Sequence, residues 1–164
     1  MRVIGIDPSL VSTGFGVVSC EDGRYVPIVY GAIRTSRSHS LPLRLEEIRR
    51  ELDKVLSAYE VDEAAVENPF NARNIRTALV LGQVRGAVLC ALAGRDCPLH
   101  EYSALEIKKA VTGYGQAEKH QVQIMVRALL NLDDDALSAD AADALAAAVC
   151  HLNARQLRLK IEGG

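Results

Sequence analysis

The 164-residue chain lacks several features that mark specialised classes of protein. Its four cysteines form no CxxC pair, and no histidine lies at zinc-finger spacing from two of them, so we expect reduced and mostly buried thiols. No stretch approaches the roughly 18 uninterrupted apolar residues of a membrane span. The N-terminus has no signal-peptide core either, so we expect a cytoplasmic protein with no membrane contact. The net charge of −2 creates no overall basic field that would indicate nucleic-acid binding.

The charges that are present are segregated along the chain. Residues 131–143 carry five aspartates and no base, whereas residues 68–85 carry three arginines and no acid. With 49% hydrophobic and 24% charged residues, the composition is that of a globular protein. Acids gathered at one site can cancel, in the net charge, a basic surface elsewhere. The distribution of charge along the chain is therefore more informative than the net charge.

Hydrophobic periodicity predicts one α/β domain over residues 1–155, followed by a flexible tail over residues 156–164. The predicted strands occupy residues 2–7, 14–20, 25–33, 63–67 and 98–102. The predicted helices occupy residues 41–56, 73–93, 103–111, 118–130 and 138–151. Because helices separate the later strands, we predict a five-stranded mixed sheet of three antiparallel and then two parallel strands, with helices on both faces. Pro27 predicts an edge strand or a bulge in the third strand.

Four carboxylates lie at the ends of these predicted elements. Asp7 ends the first strand and Glu67 ends the fourth, and parallel neighbouring strands end side by side. Asp140 and Asp143 share one face near the start of the last helix, whose many alanines permit close approach to the sheet. Acids brought together in this way would repel one another unless a cation lies between them. Hard oxygen ligands favour Mg²⁺ or Mn²⁺, and two such ions can activate water for phosphodiester cleavage.

Each acid also has a simpler explanation when it is considered alone. Asp7 precedes Pro8 and fits a turn, Glu67 fits a strand-end cap, and Asp140 fits the favourable first turn of a helix. Asp143 lies too far into the helix for that explanation. The metal hypothesis is preferred because one topology brings all four acids together.

Further residues fit contact with DNA or with a second copy of the chain. Phe70 lies in a polar loop, where it would stack on bases or fold back onto the core. Arg73 and Arg76 have the spacing of one helix face, which suits phosphates or solvent. A small-residue ridge allows close helix packing, on the sheet or, as we favour, across a two-fold interface. The ridge consists of Ala78, Gly82 and Gly86.

The ordered motifs of the chain resemble the RuvC family of bacterial Holliday junction resolvases. They are Gly5-Ile6-Asp7-Pro8, Glu67…Phe70, residues 81–86, residues 113–119 and residues 139–146. The resemblance implies a ribonuclease H-like homodimer that nicks four-way DNA junctions symmetrically with Mg²⁺ in recombination and repair. It also implies a partnership with the RuvA–RuvB branch-migration complex.

The resemblance places the family's metal ligands on the four carboxylates of Asp7, Glu67, Asp140 and Asp143. It places Phe70 on bases at the opened junction centre, and Lys108 and Lys119 near the scissile phosphate. Ser9 and Asn68-Pro69 depart from the family pattern, which usually has glycine after Asp-Pro. No role is predicted for Ser12, Thr13 or the four histidines.

Three other functions compete with junction resolution. A ribonuclease H-like enzyme that cuts RNA–DNA hybrids would carry similar carboxylates. Asp7 with Ser12-Thr13-Gly14 resembles the phosphate loop of actin-like ATPases, although 164 residues are too few for two lobes. A junction-binding module without catalysis is disfavoured, because acids that face phosphates weaken binding unless metal is present.

Overall fold

The structure is a computed structural model that describes residues 1–68, 74–132 and 137–162. The strands are β1 (Arg2–Asp7), β2 (Ser12–Glu21), β3 (Arg24–Arg34), β4 (Glu63–Glu67) and β5 (Leu99–Tyr102). The helices are α1 (Leu41–Ala58), α2 (Ile75–Ala93), α3 (Ala104–Thr112), α4 (Lys119–Leu130) and α5 (Ala139–Glu162).

The strands form one five-stranded sheet in the order β3-β2-β1-β4-β5. β1 pairs antiparallel with β2, and β2 pairs antiparallel with β3. β4 runs parallel to β1 and to β5. The predicted mixed sheet, with three antiparallel and then two parallel strands, is confirmed.

Both structural effects predicted from Pro27 occur. β3 is the edge strand of the sheet, and its pairing with β2 is irregular between Val17 and Val18. Val17 pairs with Val29 and Val18 pairs with Pro27, so Ile28 is the extra residue of a bulge. A proline has no amide hydrogen to donate to the hydrogen-bond ladder of the sheet. An edge strand and a bulge both tolerate the missing hydrogen bond.

Alternate residues of the central strands pack against helices on opposite faces of the sheet. Val3 and Ala65 belong to a core shared with α3, α4 and α5. Ile4, Ile6 and Val66 belong to the core shared with α1 and α2. Since side chains alternate along a strand, Asp7 and Glu67 lie on the same face as Val3 and Ala65, which is the face that α5 covers.

Glycines allow α5 to lie unusually close to β1 and β2. A Cβ atom at Gly5 would lie 1.8 Å from the carbonyl oxygen of Ala144, and one at Gly14 would lie 2.0 Å from that of Asp140. Gly14 is the cross-strand partner of Asp7. The small residues that permit this contact are therefore in the sheet as well as in the alanine-rich helix.

Two sequence predictions need correction. The last helix was expected to end near His151, but α5 continues to Glu162, because no glycine or proline interrupts residues 152–162. The cysteines were expected to be mostly buried, but only Cys150 is buried, and Cys90 is exposed on α2.

Candidate active site

The sheet places Asp7 and Glu67 side by side. Ile6 of β1 pairs with Val66 of β4 in parallel register, so the two acids follow as the next residues of neighbouring strands. Both side chains are half-buried. The predicted meeting of these two carboxylates at the carboxyl edge of the sheet agrees with this register.

The first turns of α5 bring Asp140 and Asp143 over this edge. The Ser138 hydroxyl accepts a hydrogen bond from the amide of Ala141 at 3.2 Å, so Ser138 caps the start of the helix. Gly14 lies directly beneath the backbone of Asp140. The same close approach of helix and sheet delivers both aspartates to the ends of β1 and β4.

The pKa values of the acids show that their charges interact. Burial, Asp143 and Glu67 raise the pKa of the Asp7 carboxyl from 3.8 to about 7, and Lys119 partly opposes them. Burial and then Asp143 raise the pKa of Glu67. Burial also raises the pKa of Asp143, although Lys119 lowers it. The site therefore concentrates negative charge that its own lysines only partly offset.

Two protein groups hold the aspartates of α5. Lys119 Nζ lies 2.5 Å from Asp143 Oδ2, and this contact raises the pKa of the lysine. The Ser12 hydroxyl donates a hydrogen bond to Asp140 Oδ2 at 2.6 Å. No role was predicted for Ser12, because the partners are 128 positions apart and no local sequence pattern connects them.

A cavity of about 270 Å³ opens beside the carboxylates. Its lining includes Glu67 and Asp143 together with Lys108 and Lys119. Lys108 lowers the pKa values of both acids, so its charge acts on the site. An anion such as a phosphate would find cations here directly beside the acids, as the resemblance implies for these two lysines.

The donor set fits divalent metal ions of the Mg²⁺ type. Four carboxylates supply hard oxygen ligands. Burial and the neighbouring acids both raise the pKa of Asp7, and a bound cation would stabilise its ionised form. A separate group of potential metal ligands lies elsewhere, where Glu63, His100 and His151 bring three ligand atoms within 4.8 Å of one another.

The turn between β1 and β2 is held by buried Thr13. The Thr13 hydroxyl donates to the carbonyl of Ser9 at 2.6 Å and accepts from the Ser9 amide at 3.2 Å. Among the described residues other than glycine, positive φ angles occur at Asp22, Asp96 and Asn131. Ser9 therefore fits a turn in which the family usually has glycine without left-handed strain.

The other predicted DNA contacts are described only in part. Phe70 and Arg73 lie outside the described residues. Arg76 is exposed in the first turn of α2 and lines a groove of about 480 Å³. The opposite wall of that groove is the turn at residues 8–11. Arg76 thus borders the loop that follows Asp7.

The small-residue ridge of α2 faces away from the rest of the described chain. Ala78 and Gly82 are exposed, and a Cβ atom at Gly82 or Gly86 would meet no described atom within 4 Å. Ile75 and Leu79, which are 81% and 66% exposed, extend this apolar surface. α2 is also long and apolar enough to span a membrane, judged by length and composition alone. Core helices of soluble proteins meet the same criterion.

Comparison with known proteins gives consistent relatives over almost the whole chain. The family model described as crossover junction endodeoxyribonuclease RuvC matches residues 3–151. A RuvC from Syntrophomonas wolfei is 45% identical over 162 residues, which are 99% of this chain and 94% of that protein.

Solved structures agree with these sequence matches. Thermus thermophilus RuvC in complex with Holliday junction substrate has a TM-score of 0.90 and 31% identity over 96% of each chain. Another Thermus thermophilus RuvC structure has a TM-score of 0.88 at the same identity, over 96% of this chain and 97% of that one. The family match, the sequence identity and the shared fold together show that this chain belongs to the RuvC family of crossover junction endodeoxyribonucleases.

Proposed function

We propose that the protein resolves four-way DNA junctions by paired, symmetric nicks that depend on divalent metal. The observation that carries the proposal is the convergence of four carboxylates at the carboxyl ends of β1 and β4. Burial at this edge of the sheet, together with repulsion from Asp143 and Glu67, raises the pKa of Asp7 to about 7. A site that has only DNA to bind would not gather acids against phosphates, because like charges weaken that binding.

Asp7, Glu67, Asp140 and Asp143 are the residues that would hold the ions, two Mg²⁺ or Mn²⁺ ions per site. When bound, such ions supply an activated water and stabilise the leaving oxygen of the phosphodiester. The Ser12 hydroxyl orients the carboxylate of Asp140.

The lysines of the cavity are the groups placed to bind the scissile phosphate. Lys119 neutralises Asp143 in the described arrangement, and Lys108 borders the same cavity. A compact ammonium group can contact phosphate oxygens without a fixed angle. Arg76 extends the cationic surface at the start of α2. Arg73 is a further candidate phosphate contact, and the family resemblance supports Phe70 as the side chain that would stack on bases at the opened junction.

A homodimer is the architecture that matches two symmetric nicks. The exposed ridge of Ala78, Gly82 and Gly86 supports α2 as the interface, because it leaves room for a second helix at close distance. Each protomer would then present one carboxylate site to one of two strands related by two-fold symmetry. The family resemblance supports the RuvA–RuvB complex as partner and the cytoplasm as location.

The test is cleavage of a synthetic four-way junction beside a linear duplex and an RNA–DNA hybrid, with and without Mg²⁺. We expect symmetric nicks in the junction alone and only with metal. Glu67→Gln should abolish nicking while junction binding survives, because it removes a ligand and leaves the cationic surface intact. The matched control is Glu60→Gln, since Glu60 is fully exposed before β4, at the end away from the site.

Other outcomes would identify a competing function. Preferred cleavage of the RNA–DNA hybrid would make the protein a ribonuclease H-like enzyme of different specificity. Junction binding without nicks at any Mg²⁺ concentration would make it a binding module. Undiminished nicking by Glu67→Gln would remove the carboxylate site from the mechanism.

A further inference from the structure

A second polar cluster lies beneath α5, at the opposite end of β4 from the candidate active site. Glu63 begins β4 and Glu67 ends it, a separation of about 13 Å along a strand. His151 follows Asp143 by eight residues of α5, about 12 Å along a helix. Because the two spacings match, Asp143 of α5 lies near Glu67 at one end of β4, and His151 lies near Glu63 at the other end. The second cluster is therefore distinct from the four carboxylates.

Two histidines converge on one oxygen of Glu63. His151 Nε2 lies 2.6 Å from Glu63 Oε2, and His100 Nε2 lies 3.0 Å from the same atom. The imidazole rings are stacked, with centroids 4.3 Å apart and planes 30° apart. The three ligand atoms all lie within 4.8 Å of one another.

We propose that Glu63, His100 and His151 form a binding site for a transition-metal ion of the Zn²⁺ type. Two imidazoles and one carboxylate are a zinc ligand set that leaves a fourth position for water. This set is softer than the four carboxylates of the active site, which select Mg²⁺ or Mn²⁺. The two sites would therefore hold different metals in one chain.

Neighbouring groups hydrogen-bond to the candidate ligands, as the residues that orient metal ligands commonly do. His151 Nδ1 lies 2.7 Å from the Tyr102 hydroxyl, which fixes the orientation of a ring that is only 2% exposed. Arg155 donates to Glu63 Oε1 at 2.5 Å and so leaves Oε2 for the histidine side. The side chain of His100 is 31% exposed, which provides a path for an ion and its water.

The two histidine contacts to Glu63 need little movement to admit an ion. Zinc bonds of about 2.0–2.1 Å to nitrogen and oxygen place tetrahedral ligands roughly 3.3 Å apart. Both contacts to Glu63 Oε2 would widen by less than about 1 Å. Bound metal would join β4, β5 and α5 at the end of the helix remote from Asp143.

The test is Zn²⁺ binding by the chelator-treated full chain, measured by calorimetry with saturating Mg²⁺ to occupy the carboxylate site. We expect one Zn²⁺ at this cluster and, with Co²⁺ as a probe, the visible spectrum of a four-coordinate site. His100→Gln should abolish the spectrum and weaken Zn²⁺ binding at least tenfold. His100 is chosen for this variant because it is half-exposed, whereas replacing buried His151 would endanger the fold.

The matched control is His120→Gln, since His120 is exposed on α4 and has Glu118 as its charged neighbour. Both variants keep all four cysteines, so any Zn²⁺ bound by thiols is equal in the two. Asp143→Asn should retain the Co²⁺ spectrum, which separates this site from the proposed nuclease site. Tyr102→Phe should weaken Zn²⁺ binding about 10–100-fold, because it removes the hydroxyl that orients His151.

Two results would overturn the proposal. Wild-type protein that binds no Zn²⁺ in the presence of Mg²⁺ would show that the cluster is a hydrogen-bonded network only. Equal binding and equal spectra for wild type and His100→Gln would place the ion elsewhere. The readouts are binding and absorption rather than cleavage, so a failure of the proposed nuclease function would leave this test intact.

Discussion

Replacing Asp7 by asparagine is expected to stabilise the metal-free protein while it abolishes cleavage. Burial, Asp143 and Glu67 raise the pKa of Asp7 from 3.8 to about 7. Each pKa unit corresponds to about 1.4 kcal/mol, so ionising Asp7 costs up to about 4 kcal/mol more in the folded protein than in the unfolded chain. Asparagine keeps the shape of the side chain and carries no charge.

The pH dependence follows from which state holds the proton more tightly. Between about pH 4 and pH 7 the folded protein retains the proton of Asp7, whereas the unfolded chain loses it. The free energy of unfolding of the metal-free wild type therefore falls as pH rises through this range, and the loss is complete above about pH 7. Asp7→Asn lacks this contribution, so we expect it to be more stable than wild type by about 1–4 kcal/mol at pH 8, and the difference to shrink at pH 5.

The assay is urea unfolding in the presence of a chelator at pH 5 and pH 8. One fixed protomer concentration is used, because the proposed dimer would make stability concentration-dependent. Thermal unfolding should show a gain of roughly 2–16 °C for Asp7→Asn at pH 8. Added Mg²⁺ should stabilise wild type more than the variant. Glu60→Gln is the control and should follow wild type. An Asp7→Asn protein less stable than wild type at pH 8, or with the same pH dependence, would refute the electrostatic reasoning.

Three further substitutions test other parts of the structure. Ser12→Ala should raise the Mg²⁺ concentration for half-maximal cleavage several-fold, because the hydrogen bond to Asp140 Oδ2 is lost, and Ser12→Thr should retain most of the wild-type response. Gly5→Ala should lower the free energy of unfolding by at least about 3 kcal/mol in urea, since its Cβ would lie 1.8 Å from the carbonyl oxygen of Ala144; wild-type stability would show that α5 can shift without cost. Gly82→Leu should leave the circular dichroism spectrum unchanged yet give monomers by light scattering, and an unchanged dimer mass would exclude this part of α2 from the interface.

Local patterns in the sequence were sufficient to predict the elements and their order. The apolar runs of β1 and β4 and the three- and four-residue repeats of α1 predict strands and helices because burial repeats with the period of each element. The same patterns placed Asp7 and Glu67 at strand ends. The end of α5 was predicted too early. Residues 155–162 are mostly exposed and have no regular apolar period, yet they favour helix by their intrinsic propensity.

The close packing of α5 on the sheet could not be predicted without knowing how the strands pair. Alanines in the helix indicated a close approach, but the matching glycines of the sheet are residues 5, 14 and 16, on two different strands. Gly5 pairs with Gly16 across the antiparallel ladder, so they form one smooth surface only in the folded sheet. In the sequence they are three separate glycines with no sign that they share one surface.

Patterns along the chain were enough to predict the strands and helices, the mixed character of the sheet and the four acids at the ends of elements. Which groups hold those acids, and which histidines meet, is visible only in the folded chain. Ser12 reaches Asp140 across 128 residues and His151 reaches Glu63 across 88. The physical reason is that periodicity records which face of one element is buried, whereas a hydrogen bond between elements depends on strand register and helix position, which arise when the whole core packs.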